Sequence, residues 1–373
     1  FAPTIVQETR AERFPRDYIA AADFDGDRDG RNNYESLLAT YGTAGAGPPA
    51  VVYFTVQETT THFFAHYFPY MPIDDKSGNG HEHDTESVLL VIRKAPAPAV
   101  EAMETRWHSE WKTYAGGLAV LPGTDSQHAG VPEGVVQTDA LAGGNGHPLV
   151  MRQRVGHGLC GGNVLPGDPA YPESSATPET EWVALAVDSG QLVCGGEPIE
   201  PYGSHVVYRF ATGTAESPKP GALVQTVGYE LREILTTLWL ERTNETLFST
   251  PMTYTGSVAN GCAPTPLLRS FRGDCNLEFC TPAGTRCASL DCRGTCGQPG
   301  LGCGEDPPSI WGQSSDPATA AGKPAVPRPP NGEQFFDPAG TMSRRLSFVA
   351  GIATTYVHNP YLGIVDGVVR CPQ

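Results

Sequence analysis

The sequence predicts a mainly β protein of the α+β kind, a β-sandwich core with one or two flanking helices and a disulfide-rich irregular insertion. Three observations predict it. Short segments rich in Val, Ile, Thr and aromatic residues recur along the chain, each bounded by Gly, Pro, Asp or Ser, the pattern of many short strands packed as a sandwich. Gly and Pro number 43 and 34 of 373 residues, loop-rich yet short of the roughly 25–30% that marks low-complexity sequence. Seven of the ten cysteines, Cys262, Cys275, Cys280, Cys287, Cys292, Cys296 and Cys303, crowd into one stretch with no Cys-x-x-Cys spacing. That density fits a disulfide-stapled segment of a secreted protein rather than a zinc ribbon.

Taken in order, residues 50–55 and 61–68 are β-branched and aromatic on either side of the polar Gln57-Glu58-Thr59-Thr60, which predicts a hairpin. Residues 85–93 are apolar on both alternating faces, which predicts a strand covered on both sides. Further strands are expected at 118–121, 134–138, 149–155, 182–187 and 205–210. Leu231, Ile234, Leu235 and Leu238 recur at helical spacing, which predicts an amphipathic helix over 227–241. Asp337-Pro338 predicts a second helix start, an acceptor followed by Pro at the first helical position. Residues 1–261 are thus read as the sandwich core, 262–332 as the Cys-rich insertion and 333–373 as a return to the core. Full pairing of the ten cysteines is possible, Cys160 with Cys194 and Cys371 with the cluster among the options, but spacing does not fix the connectivity. Asn244-Glu245-Thr246 matches a glycosylation acceptor and has meaning only in a eukaryotic secretory pathway.

Charge and hydropathy restrict the function. The chain carries 25 Lys and Arg against 41 Asp and Glu, a formal charge of −16, so it lacks the basic stripe a nucleic-acid binder needs. The best apolar run, Val88 to Ile92, is far short of the 18 or so residues of a spanning helix. The first residue is Phe rather than Met, as a processed mature protein would start, which allows a removed signal peptide, and the cysteine density points to a secreted or cell-surface location. Twenty Arg against five Lys, with heavy Ala, Gly and Pro use, suits a GC-rich bacterial genome.

The acidic residues concentrate in two places. Asp23, Asp25, Asp27 and Asp29 lie within seven residues, followed by Gly30 and Asn33. Counted from Asp25, carboxylates fall at positions one, three and five, Gly at six and Asn33 at nine, as in a calcium loop. Position twelve is Ser36 instead of the bidentate Glu. Unscreened, four carboxylates so close repel one another, which favours a bound cation over a solvated acidic turn. The second place is Asp74-Asp75 followed by a Gly-rich loop and His81-Glu82-His83-Asp84-Thr85-Glu86. On an extended chain Asp84 and Glu86 project to one side, and the loop can fold His81 and Asp74 or Asp75 back toward them. Such a mixed imidazole and carboxylate set suits Ca²⁺, Mg²⁺, Mn²⁺ or Zn²⁺. His62 and His66 are four apart on a predicted strand, about 13 Å, so they do not share an ion. His157 sits between Gly156 and Gly158, and together with His83 it is a candidate to line a pocket.

Tyr67-Phe68-Pro69, the acidic Gly-rich loop and Gly80-His81-Glu82-His83-Asp84-Thr85-Glu86 before a Val/Leu strand resemble the necrosis- and ethylene-inducing peptide 1-like cytolysins (NLPs). Their hallmark heptapeptide is Gly-His-Arg-His-Asp-Trp-Glu; here Glu82 stands for its Arg and Thr85 for its Trp. The resemblance covers residues 50–94. It implies a β-sandwich flanked by helices that holds a divalent cation near the surface and recognises a sphingolipid head group. It also implies His81, Asp84, Glu86 and either Asp74 or Asp75 as cation ligands. The wider arrangement also resembles uncharacterised secreted bacterial proteins related to the Vps62-like family.

Three function classes follow. The first is a secreted, cation-dependent protein that recognises a lipid or glycan head group, with Ca²⁺ the leading cation. The second is a calcium-stapled structural or adhesive protein that assembles with itself or with other extracellular proteins. The third is a metal-dependent hydrolase with Glu82 or His83 as base. Enzymatic activity is left open, with a binding role preferred.

Overall fold

The computed structural model describes residues 1–9, 14–26, 33–42, 45–74, 81–107, 110–116, 134–139, 147–152, 157–161, 187–188, 191–192, 204–213, 215–219, 224–234, 237, 248–252, 268–271, 337–346, 348–362 and 364–369. Its first ten strands are β1 (Thr4–Thr9), β2 (Val51–Thr59), β3 (His62–Asp74), β4 (His81–Thr85), β5 (Val88–Arg93), β6 (Ala99–Trp107), β7 (Glu110–Ala115), β8 (Gly134–Val135), β9 (Leu149–Arg152) and β10 (Leu159–Gly161). Then follow β11 (Val187–Asp188), β12 (Gln191–Leu192), β13 (Ser204–Phe210), β14 (Val224–Glu233), β15 (Phe248–Met252) and β16 (Leu268–Phe271). The last are β17 (Tyr356–His358), β18 (Ile364–Val365) and β19 (Val368–Val369). Two helices are described, α1 (Asn33–Tyr41) and α2 (Pro338–Arg345).

A sheet of 13 strands dominates, in the order β10-β9-β1-β13-β14-β2-β3-β5-β6-β7-β8, with β4 added to β3 and β17 to β2. Its two ends meet: β10 packs on β6 and β7, and a Cβ at Gly161 of β10 would stand 2.7 Å from the Tyr114 ring of β7. Only a residue without a side chain fits there. The curled sheet therefore acts as two facing layers, the mainly β sandwich the sequence predicts.

The apolar residues divide by strand parity. On β5, Val88, Leu90 and Ile92 join the interior between the layers, while Leu89 and Val91 join a second core on the outer face. That second core is roofed by Ala20 to Ala22, by Ala339 and Met342 of α2, and by Tyr356, Leu362 and Ile364. Burying a Leu, Ile or Met side chain of this core contributes about 1.5–3 kcal/mol. The strand between β3 and β6 is thus covered on both sides, as its continuous apolar run requires.

The expected β2–β3 hairpin is present, with longer strands: β2 runs on through Thr59, and Tyr53 pairs with Phe68 in antiparallel register. Thr59 Oγ1 accepts the His62 amide at 3.1 Å, so a hydroxyl closes the turn. The second helix start is also as expected. Asp337 caps α2 by accepting the Gly340 amide at 3.0 Å, Pro338 opens it, and Arg344 and Arg345 end it. Arg345 Nη1 also reaches Glu104 Oε2 of β6 at 3.0 Å, beneath the helix, where Glu104 is fully buried.

The expected helix over 227–241 is not formed across its first half. Residues Val224–Glu233 are instead a strand running parallel to both β13 and β2. Val227, Tyr229 and Leu231 point into the interior at period two, with Gly228, Glu230 and Arg232 between them. Pairing on both edges outweighs the three- and four-residue spacing of the leucines, since tertiary context overrides local pattern. Leu235 and Leu238 lie outside the described residues. The predicted strand over 85–93 is interrupted: β4 ends at Thr85 and β5 starts at Val88. Of the Cys-rich stretch only 268–271 is described, as β16 paired with β15, and Cys194, Cys371 and Asn244 lie outside the described residues. Cys160 is buried and is not a free thiol.

Candidate functional site

The His81 to Glu86 segment is built on the longest strand of the sheet. Beyond Tyr67 the edge of β3 that pairs with β5 passes to β4 in the same register, so that Tyr70 faces Thr85, Met71 faces Asp84, Ile73 faces Glu82 and Asp74 faces His81. The register brings an acidic position of the Gly-rich loop directly opposite the first histidine of the motif. Alternation assigns positions 74, 81 and 83 to the same face of the ladder as Tyr70, and positions 82 and 84 to the other. Thr85 fixes the break that follows by donating its hydroxyl to Pro69 O at 2.9 Å. Glu86 and Ser87, in the gap between strands, are both buried. Asp75 lies outside the described residues.

The first acidic segment lies against the same part of β3. Leading into it, Ala20 N donates to Tyr70 O and Ala22 N to the Tyr53 hydroxyl, each at 2.9 Å. At Asp23 one carboxylate oxygen accepts Arg232 Nη1 at 3.0 Å, and Gly26, at φ 94, closes a turn by donating to Asp23 O. Asp25 is half-buried. Its charge, second to burial, raises the Tyr41 hydroxyl above the usual tyrosine range. Asp27 and Asp29 lie outside the described residues.

Asn33, expected as the ninth position of a calcium loop, opens α1 with its side chain fully buried. Its Nδ2 donates to Ala22 O and to the Tyr70 hydroxyl, each at 3.0 Å. One amide therefore closes the acidic loop at its base and fastens it to the strand that carries the His81 hairpin. Among the described residues no three His, Cys, Asp or Glu side chains gather as a metal set.

His157 is not on an open pocket wall. Its left-handed backbone, φ 51, turns the ring inward, where Nε2 stands 2.8 Å from Asp17 Oδ1 and neither side chain is exposed beyond 2%. The buried Arg152 guanidinium reaches Asp17 O at 3.0 Å and Oδ1 at 3.4 Å, and Gln7 Nε2 donates to the same carbonyl. Burial alone would raise the Asp17 carboxyl. The His157 hydrogen bond and the Arg152 and His157 charges outweigh it, leaving Asp17 below the usual carboxylate range. Sequence reasoning missed Asp17 and Arg152. The flanking glycines of His157 were the only local signal, and they say nothing of a carboxylate 140 residues away.

His62 and His66 occupy separate environments on β3, in line with their spacing. His62 Nε2 pairs with Glu101 Oε2 at 3.0 Å, and His66 lies buried with its ring 5.4 Å from that of Phe68. Burial lowers His66 to about 3, so the ring is neutral.

No protein-family model matches the chain, and no curated protein sequence matches it. Its structural neighbours are NLPs. Necrosis and Ethylene inducing Protein 2, from the causal agent of cocoa's Witches Broom disease, is 18% identical over 41% of this chain and 59% of that one, with a TM-score of 0.24. NLPPya in complex with mannosamine is 18% identical over 43% and 62%, also at 0.24. The non-toxic HaNLP3 protein is 20% identical over 40% and 71%, at 0.22. The chain thus spans about three-fifths of the length of the first two structures.

Proposed function

We propose that this protein is a secreted, divalent-cation-binding β-sandwich that recognises a lipid or glycan head group at the loop end of the β3–β4 hairpin. The observation that carries the reading is the register that sets Asp74 opposite His81, the last pair of the ladder before the connecting Gly-rich segment. Carboxylate and imidazole there are the mixed ligand set of a Ca²⁺, Mg²⁺, Mn²⁺ or Zn²⁺ site. Asp75 and Glu86 remain candidate ligands, position 83 shares the face of 74 and 81, and position 84, a candidate by its place in the motif, falls on the other face of the ladder. A bound cation reverses the local sign of an acidic surface, so hydroxyls and phosphates of a head group find a ligand there despite the charge of −16. The Cys-rich stretch supports secretion through disulfides, with Cys160 joined to one of the other cysteines.

Glucosamine and mannosamine are the first sugars to test, because structures of NLPPya hold them. Calorimetry with each sugar, in Ca²⁺ and then in EDTA, is expected to show binding only with the cation. Dye-filled vesicles carrying glycosylated sphingolipid are expected to bind the protein under the same condition. Sugar and vesicle binding unchanged by EDTA would refute a cation-borne site.

A further inference from the structure

We propose a second site, independent of the cation reading: a chamber in the sandwich interior that binds water, which bridges Gln7, Asp17, Tyr18 and Tyr208. The hydrogen-bond inventory of these four residues points there. Each is no more than 2% exposed. Gln7 Oε1, Asp17 Oδ2 and the hydroxyls of Tyr18 and Tyr208 have no hydrogen-bond partner among the described residues. One buried polar atom in that condition is already unfavourable, and four in one place call for a shared partner.

Register gathers them on one face. Gln7 of β1 stands level with Arg152 of β9 and with Val206 of β13. Tyr208, two residues beyond Val206, projects from the same face at the diagonal position, about 7–8 Å from Gln7 and within reach of a long side chain. Ile5, Val150, Tyr18 and Tyr208 belong to the interior core, so this is the inner face. The segment carrying Asp17 and Tyr18 is drawn onto it from the other side. Gln7 Nε2 and Arg152 Nη1 donate to Asp17 O, while Arg152 Nη2 and His157 Nε2 meet Oδ1. The carbonyl and one carboxylate oxygen are thereby engaged, and Oδ2 is left facing the chamber. Two further groups come near without forming a well-aligned hydrogen bond: Thr9 beside the Asp17 carboxylate and the Ile19 amide beside the Tyr208 hydroxyl. Polar groups held together just short of bonding geometry are the surroundings of a bridging water.

The charges of the wall select water over an ion. A cation entering beside Asp17 meets the Arg152 guanidinium 3.4 Å from the same carboxylate, and an anion meets Asp17 Oδ2 and Gln7 Oε1. Burial above all raises both tyrosine hydroxyls, so each keeps its proton and can donate as well as accept. Two acceptors and two hydroxyls complement one or two neutral molecules that donate twice and accept twice. Walls this fully buried admit nothing larger without opening. The water then joins the N-terminal approach, at Asp17 and Tyr18, to strands β1 and β13 where direct hydrogen bonds do not.

The test is a high-resolution crystal structure of the full chain, with unfolding equilibria of Tyr18→Phe, Tyr208→Phe and the double variant beside the wild type. One or two waters are expected within about 3.2 Å of Asp17 Oδ2 and of at least two of the other three atoms. Because such a water couples two hydroxyls that do not touch, the double variant should raise the unfolding constant less than the product of the two single rises, by about two-fold or more. A dry chamber, an ion refined in it, or the four atoms bonded directly to protein groups would overturn the proposal. Strictly multiplicative effects of the two substitutions would overturn the bridge. If a phenylalanine variant does not fold, the wild-type crystal structure still decides.

Discussion

His157 Nε2 lies 2.8 Å from Asp17 Oδ1 in the sandwich interior, and the guanidinium of Arg152 closes on the same residue. Asp17 precedes the segment that crosses over Tyr53 and Tyr70, so this buried pair anchors the N-terminal approach to the acidic loop. Asp17→Asn would take the carboxylate charge away from Arg152 and His157, and breaking such a buried pair costs about 3–5 kcal/mol. Denaturant melts at neutral pH should show that loss. A cost under about 1 kcal/mol would mean that the pair is peripheral to the fold.

Acid should act on His66 before it acts on Asp17. The His66 ring titrates near 3 when folded and near 6.5 when unfolded, so the unfolded chain takes up its proton first as pH falls. Stability from this residue is full above about pH 6.5 and declines by about 1.4 kcal/mol per unit as pH falls toward 3. Asp17, depressed below the ordinary 3.8, begins to withdraw its share only as pH falls through about 3.8, the unfolded value, and goes on doing so below it. His66→Gln should flatten the dependence between pH 6 and 4, readable as melting temperature against pH beside the wild type. Parallel curves for the two proteins would show that His66 does not carry it.

Two tyrosine hydroxyls hold the approach to the acidic loop from adjacent strands. Tyr53→Phe removes the acceptor of the Ala22 amide, which is fully buried, and an unpaired buried amide costs about 1–3 kcal/mol. Backbone hydrogen exchange would localise the effect to residues 20–25, with strands β5 and β6 unchanged. Uniform loss of protection over the sheet would instead mark Tyr53 as a core residue whose hydroxyl serves no local purpose.

The sandwich was legible because strands that are buried on both faces, such as Val88 to Ile92, leave an unambiguous apolar run. The cap at Asp337 was legible because capping is decided within four residues. Residues 227–233 were not, because Leu231 and Ile234 fit a helix locally and only the two parallel partners of β14 impose period two. Helix α1 also escaped: its buried anchor, Leu37, follows an acidic run that reads as loop. Of the candidate site, spacing exposed the two acidic segments. Nothing in the spacing links them, since the link is one Asn33 amide on a tyrosine 37 residues away.

On the proposed function, EDTA should destabilise the protein through charge repulsion, and salt separates this from simple loss of a ligand. Asp23 to Asp29 holds four carboxylates, and Asp74 to Glu86 holds five. Without a counter-ion they repel, and the repulsion between exposed groups is screened over about 8 Å at physiological ionic strength and about 3 Å at 1 M. In EDTA the melting temperature is therefore expected to fall at low salt and to recover partly in 1 M NaCl. With saturating Ca²⁺, added salt should bring no such recovery, because the cation already offsets the charge. A protein whose melting is indifferent to EDTA at every salt concentration would have its acidic segments solvated rather than metal-loaded. The −16 would then describe its surface alone.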